Sequence, residues 1–261
     1  MLTEDQRWTF DTLGWVRLPG AFSPVDAARM AERVWEALAR LHGFRRESPE
    51  TWTVARPTGF QNLARVGAFD ALLTPELCEA IDGLLGAGTW DKPVGGGTPL
   101  IAFPRSATAA WEVPTAAWHL DFPARGELTP AKVARAFALI APVVPRGGGT
   151  LVLEGSHALI ARLAAAGNVG KGSSAEVKKA LVRADPWLRE LFVGGDPEGR
   201  TRHFLETGAS VEGVDLRVAE LTGDAGDAIF MHPQLLHAPS SSAARQPRML
   251  VSHSIFCRRI D

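Results

Sequence analysis

The spacing of apolar positions changes near residue 98. Before it, hydrophobic residues recur at helical intervals. "SPVDAARMAERVWEALARLHG" sets Met30, Val34, Leu38 and Leu41 on one helix face, with Ser23 as cap, Pro24 in the first turn and Gly43 as stop. "TEDQRWTFDTLG" predicts a helix between Thr3 and Gly14, "WVRLPG" a short strand, and "TPELCEAIDGLLG" a helix capped by Thr74 with Pro75 behind it. Residues 44–68 carry no regular period. After 98, short runs rich in Val, Ile, Leu and Phe alternate with Gly, Pro and Asp: "TPLIAFP", "ARAFALIAPVV", "GTLVLEG", "GVDLRVAEL", "DAIFMH" and "RMLVSHSIF". These are strand signals. About 157–193 reads as two or three inserted helices, and "DPEGRTRHFLETG" as a loop.

Strand–helix alternation of the parallel type is missing from this pattern, as are an internal repeat and a low-complexity linker. The expectation is a single domain over 1–261. It is mainly β with flanking helices: a helix-rich part of about 1–95, then an antiparallel double-sheet barrel over about 98–258.

Composition narrows the function classes. A net charge of −1 over 261 residues gives no basic field for nucleic acid. The longest apolar runs, such as "FALIAPVV", fall far short of the roughly 20 residues of a membrane span. Cys78 and Cys257 are far apart and unpatterned, which argues against a disulfide framework or a cysteine zinc site. With no secretory leader pattern at the start, the expected compartment is the cytoplasm. The absence of tyrosine excludes a catalytic phenol.

The candidate chemistry starts at "WHLDF". On a strand, His119 and Asp121 point to one face, so an imidazole and a carboxylate can converge on one cation. A facial triad needs one further histidine from another strand. His157, His203, His232, His237 and His253 are the choices, with His42 set aside at a helix end. Such a triad leaves positions for a 2-oxo diacid, whose far carboxylate suits an arginine fork. Arg245 and Arg248 both follow His237 closely. Trp111 and Trp118 could stack on a substrate or pack in the core. Arg45, Arg46, Arg56, Arg65 and Arg105 could meet an anion or simply be solvated.

The order of His119-x-Asp121, "GGGTLVLEGSH", "GDAIFMHPQLLHAPSSS" and a later arginine resembles the phytanoyl-CoA dioxygenase-like family. The opening "GWVRLPGAFSP" is also similar to that family, so the resemblance covers nearly the whole chain. It implies a double-stranded β-helix (jelly-roll, cupin-like) core and an oxygenase that uses Fe(II), 2-oxoglutarate and O2. The implied reaction oxidises a small-molecule substrate while 2-oxoglutarate becomes succinate. It further implies His119, Asp121 and His237 as iron ligands and Arg248 as the 2-oxoglutarate clamp, with Thr150 and Phe137 walling the same pocket. His237 lies eleven residues before Arg248, the family's spacing, whereas His232 lies sixteen before it. The loop "HAPSSSAARQPR" departs from relatives, which often carry asparagine there. A carboxylate at Asp121 favours hydroxylation over halogenation. The inserted region 157–210 and residues 44–68 are the expected lids. A polypeptide hydroxylase of the same fold and a non-catalytic metal-binding barrel stay open as alternatives.

Overall fold

The structure is a computed structural model, and it describes residues 1–92, 96–104, 111–124 and 133–258. Arg105 lies outside the described residues. In chain order the helices are α1 (Glu4–Leu13), α2 (Pro24–His42), α3 (Gln61–Arg65), α4 (Pro75–Leu85), α5 (Ser156–Ala165), α6 (Ser174–Ala184), α7 (Pro186–Leu191) and α8 (Pro197–Thr201). The strands are β1 (Trp15–Leu18), β2 (Thr98–Ala102), β3 (Val133–Leu139), β4 (Thr150–Glu154), β5 (Ala209–Val211), β6 (Val214–Glu220), β7 (Ala228–Met231), β8 (His237–Pro239) and β9 (Arg248–Phe256).

The helix boundaries follow local capping chemistry. Thr3 and Gln6 form a reciprocal capping box, and Gly14 closes α1 in the left-handed region at φ 84°. Ser23 caps α2 and Gly43 ends it at φ 70°. Thr74 caps α4 through the Leu77 N–H. Met30, Val34 and Leu38 are buried as the stripe predicts, but Leu41 is 46% exposed. Leu41 sits in the last turn of α2, beyond the part that the core covers.

All strand pairs are antiparallel. One sheet has the order β1-β7-β3-β9-β2 and the other β5-β6-β4-β8, and an isolated bridge adds His119 to the outer edge of β8. Taking β2 as first strand and the His119 segment as second, the sheets read 1-8-3-6 and 2-7-4-5, with β1 and β5 as additions. That is the double Greek key of a jelly roll. Between the sheets lie Phe137, Leu139, Val152, Ile229, Met231 and Leu250. The opposite face of the five-stranded sheet packs on α2 and α4 through Ala134, Ala136, Ala138, Val251 and Ile255.

The inserted helices form a second core. Leu151 and Leu153 on the outer face of β4 pack with Leu159, Ile160, Val177, Leu181 and Leu188. Trp111 and Trp118 belong to the same cluster, at 8% and 7% exposure, so both pack instead of facing a ligand. The insertion also grips the His119 segment: Leu120 N–H donates to Ser174 Oγ at 3.0 Å, and Ala124 N–H to the Gly172 carbonyl at 2.8 Å. The predicted loop after 195 is instead α8, capped by Asp196, followed by a π-helical turn Arg202–Thr207. Buried Arg200 explains this order. Its guanidinium donates to the carbonyls of Glu190 and Val193, and to those of Leu191 and Val113 at 3.1 Å each.

Gly155 begins the helix after β4. It sits at φ 75°, and an added Cβ would lie 2.4 Å from the Asp215 carbonyl. Its geometry sets Ser156, whose Oγ accepts the Leu236 N–H at 2.9 Å, one residue before His237. A left-handed alanine plus an overpacked contact costs roughly 2–4 kcal/mol. Gly155→Ala is therefore expected to lower the urea-unfolding free energy by that amount. An unchanged midpoint would show that the turn relaxes freely.

Candidate metal centre and the arginines around it

His119 and His237 face each other across a two-way backbone pair. His119 N–H donates to the His237 carbonyl at 2.9 Å, and His237 N–H to the His119 carbonyl at 3.1 Å. A residue pair that exchanges both bonds in an antiparallel ladder sends its side chains to one face. The two rings lie 4.2 Å apart, centroid to centroid. Asp121, two residues on, joins them. His119 Nε2 is 3.9 Å and His237 Nε2 3.8 Å from the same Asp121 oxygen, Oδ1. The ligand atoms of all three residues lie within 4.8 Å of one another, an arrangement that could hold a metal ion.

Each imidazole is oriented by its other nitrogen. His119 Nδ1 bonds the Ala117 carbonyl at 2.8 Å, and His237 Nδ1 the Leu235 carbonyl at 2.9 Å. A carbonyl partner requires the proton on Nδ1, which leaves the Nε2 lone pair free. Ala117 adopts φ 64°, a left-handed backbone that alanine pays about 1–2 kcal/mol to hold. Burial pushes the His237 pKa down to about 4, helped by His119 and Arg135 and opposed by the Leu235 carbonyl and Asp121. The imidazole is thus neutral at neutral pH. His237 is nearly enclosed, whereas the His119 side chain is 44% exposed, so the site opens on the His119 side.

The other five histidines stand elsewhere. His157 and His232 stack at 4.8 Å beneath the end of α1, where the His157 Nε2 bonds the Asp11 carbonyl at 3.0 Å. His203 pairs with Glu190 at 3.1 Å, and His42 Nε2 bonds the Thr58 carbonyl at 2.9 Å. His253, on β9, is not part of the triad's group.

Arg248 opens β9 and is buried at 7% exposure, while its rival Arg245 is exposed. Its Nη1 lies 3.4 Å from Thr150 Oγ1, and its Nε has no partner. Burial pushes the Arg248 pKa down to about 10, with Arg56 adding to the shift and Glu220 opposing it. It remains protonated at neutral pH. A buried cation with an unsatisfied N–H is costly until an anion reaches it. Phe137 is buried on the inner face of β3, beside β9. Arg56 donates to the Ser240 carbonyl at 3.3 Å and lines a cavity of about 370 Å³ with Ser240, Ser241 and Ser242. Arg45 and Arg46 instead meet Glu50 and Glu32, at 4.0 and 3.2 Å, and Arg65 is exposed.

One site residue had no signal in the sequence. Arg135, on β3, brings its Nε to 3.1 Å from Asp121 Oδ2, the oxygen turned away from the histidines. The N–H is not aimed along a lone pair, so this is an ion pair without hydrogen-bond geometry. Its Nη1 donates to Ser254 Oγ at 2.7 Å.

No protein-family model matches the chain, and no curated protein sequence matches it significantly. Solved structures do match. EvdMO1 aligns over 98% of this chain at 16% identity and TM-score 0.58; the chain spans 50% of EvdMO1's length. HygX from Streptomyces hygroscopicus, solved with nickel and 2-oxoglutarate bound, aligns over 98% of this chain and 88% of its own at 15% identity and TM-score 0.54. SnoN, a non-haem α-ketoglutarate-dependent epimerase from nogalamycin biosynthesis, aligns over 97% and 82% at 15% identity and TM-score 0.51. At these identities the likeness defines the fold. This chain shares their jelly-roll architecture, the fold that the motif order led one to expect.

The buried histidine pair makes stability depend on pH. Burial pushes His232 down to about 3 and lowers His157 as well. A histidine depressed in the folded state contributes its full stability above the unfolded value near 6.5 and loses it as pH falls toward the folded value. At pH 5 that loss is about 2 kcal/mol for His232. Urea midpoints at pH 7.5 and 5.0 should differ accordingly, and His232→Gln should shrink the difference. An equal difference in both proteins would assign the acid sensitivity to other groups.

Proposed function

We propose that this protein is a one-domain, cytoplasmic Fe(II)- and 2-oxoglutarate-dependent oxygenase that oxidises a small molecule. His119, Asp121 and His237 are its metal ligands, and Arg248 binds the far carboxylate of 2-oxoglutarate. The observation that carries this reading is the pairing of two features in one barrel. Two Nε2 lone pairs and one carboxylate oxygen converge, and a buried, under-satisfied guanidinium stands on β9 of the facing sheet. The donor set of two imidazoles and one carboxylate is the facial triad of non-haem iron, and the guanidinium fits a dicarboxylate. A similar fold holds nickel and 2-oxoglutarate in HygX. Among the described residues no helix is long and apolar enough to cross a membrane.

When bound, the metal and co-substrate supply the chemistry: O2 is cleaved, one oxygen atom leaves in succinate with release of CO2, and the other oxidises a substrate C–H bond. The chain supplies placement. Ala117 and Leu235 carbonyls hold both imidazoles in the ligating tautomer. Arg135 holds the outer Asp121 oxygen, which keeps Oδ1 turned toward the histidines. Arg248 and Thr150 fix one end of the co-substrate, while Phe137 and Leu250 keep that pocket dry. None of these steps requires a protein general base. A cavity of about 500 Å³ beside Arg135 has the size of a small-molecule site.

Anaerobic addition of Fe(II) and 2-oxoglutarate should produce a visible charge-transfer band, and air should then release succinate slowly even without substrate. His119→Ala should abolish metal uptake. Arg248→Met should weaken 2-oxoglutarate binding roughly 10- to 100-fold while metal affinity stays, the loss expected for a charge-assisted pair. If neither variant changes metal or 2-oxoglutarate binding, the oxygenase reading is wrong.

A further inference from the structure

Arg135 is the one charged side chain among the described residues lining a second cavity, and nothing in the triad or the co-substrate pocket accounts for that cavity. It has a volume of about 500 Å³, with Thr98, Leu100, Arg135, Ser252, His253 and Ser254 in its wall. The strands explain the grouping. Arg135 pairs with Ser254 across β3 and β9, and Thr98 pairs with Ser252 across β2 and β9. One end of the five-stranded sheet therefore gathers a cation and three hydroxyls.

The polar groups there are under-used. Ser252 Oγ is buried and has no hydrogen-bond partner. The Arg135 guanidinium has more N–H donors than its contacts with Asp121 and Ser254 use. Burial lowers the His253 pKa, and Arg135 lowers it further, so the imidazole adds no charge. The described lining contains no carboxylate. Asp121 is the sole anion in contact with Arg135 among the described residues, and that carboxylate is shared with the metal position. Once a divalent cation takes Oδ1, the negative charge of Asp121 is drawn to it. Asp121 then shares its single negative charge between that cation and Arg135, so the guanidinium on Oδ2 is only partly compensated in a half-buried site, and such a cation favours an anionic guest.

We infer that the primary substrate carries an anionic group, a carboxylate or a phosphate, and docks it on Arg135 with Ser252 and Ser254. This inference rests on the oxygenase reading above. The group is then held one side chain from a metal ligand, which sets the rest of the molecule at the centre where oxidation occurs. Arg135 is in this sense the specificity-determining residue, and Asp121 ties its position to metal occupancy.

The test uses the full chain loaded with Co(II) and saturating 2-oxoglutarate, so that Arg248 is already occupied. Hexanoate, hexyl phosphate, 1-hexanol and hexylammonium are titrated in turn, read by calorimetry and by the visible Co(II) bands. At least one anion should bind about tenfold or more tighter than hexanol, and hexylammonium should not bind. Whichever anion binds tighter identifies the group. Arg135→Gln should erase the preference, and Arg135→Lys should retain part of it. Ser252→Ala should weaken the anion several-fold at unchanged metal affinity, which keeps the test valid if Arg135→Gln fails to hold metal. The inference is overturned if hexanol or hexylammonium matches the anions, if neither anion binds, or if Arg135→Gln and Ser252→Ala leave the preference intact. Protein that takes up neither Co(II) nor 2-oxoglutarate overturns the oxygenase reading and this inference with it. Protein that takes up both without an anion preference overturns this inference alone.

Discussion

The reciprocal backbone pair between His119 and His237 is the constraint on which the site depends. It does two things at once. It attaches an otherwise irregular segment to the edge of the four-stranded sheet, completing the second Greek key. It also fixes two side chains, 118 positions apart in sequence, on one face. A register slip of one residue would turn both imidazoles to the other face. The surrounding structure works against such a slip. Ser174 and Gly172 hold the segment from the insertion, Ser156 holds Leu236, and Arg200 ties Val113 to the insertion's far end. What looks like an excursion of some fifty residues between β4 and β5 is therefore the buttress of the candidate metal centre.

The cost of this arrangement is concentrated in buried charge and backbone strain. Ala117 holds a left-handed conformation so that its carbonyl meets His119. Arg248 is buried with an orphaned N–H, near Arg56 and only partly compensated by Glu220, whose own pKa is raised by burial. A core built for stability alone would replace such groups with apolar ones. Their persistence inside the barrel fits the general pattern in which local rules are broken where ligands bind.

Much of the architecture was legible because it rests on local chemistry. Caps at Thr3, Ser23 and Thr74, with stops at Gly14 and Gly43, set α1, α2 and α4, and Val/Ile/Leu/Phe runs marked the long strands. The triad was legible in outline because a strand period places His119 beside Asp121. Spacing favoured His237 over His232, and in the structure His237 lies with His119 and Asp121 while His232 packs on His157. Other features depend on partners remote in sequence and left little trace. β5 is three residues long, and its hairpin turns at Glu212–Gly213, a signal short enough to pass as loop. α8 had a readable Asp196-Pro197 start that the surrounding polar residues masked. Arg135 sits in "ARAFAL", where a charge interrupts an apolar run. Only the pairing with Ser254 and the approach to Asp121 give it meaning.

Buried Arg248 and half-buried Arg135, both on the five-stranded sheet, also divide the barrel. Arg248 and Ser254, the strand partner of Arg135, both face inward from β9 and are six residues apart. At about 3.3 Å per residue their backbones are separated by roughly 20 Å. Thr150 and Pro239, on the facing sheet, lie toward the Arg248 end, and Asp121 toward the Arg135 end. On the proposed reading, a short dicarboxylate on Arg248 would not reach Arg135, and an anion on Arg135 would not compete for Arg248. Charge alone would attract either anion to either guanidinium; distance along one strand keeps them apart. On that reading, the same β-strand that orders the barrel would give each ligand its own side of the candidate metal position.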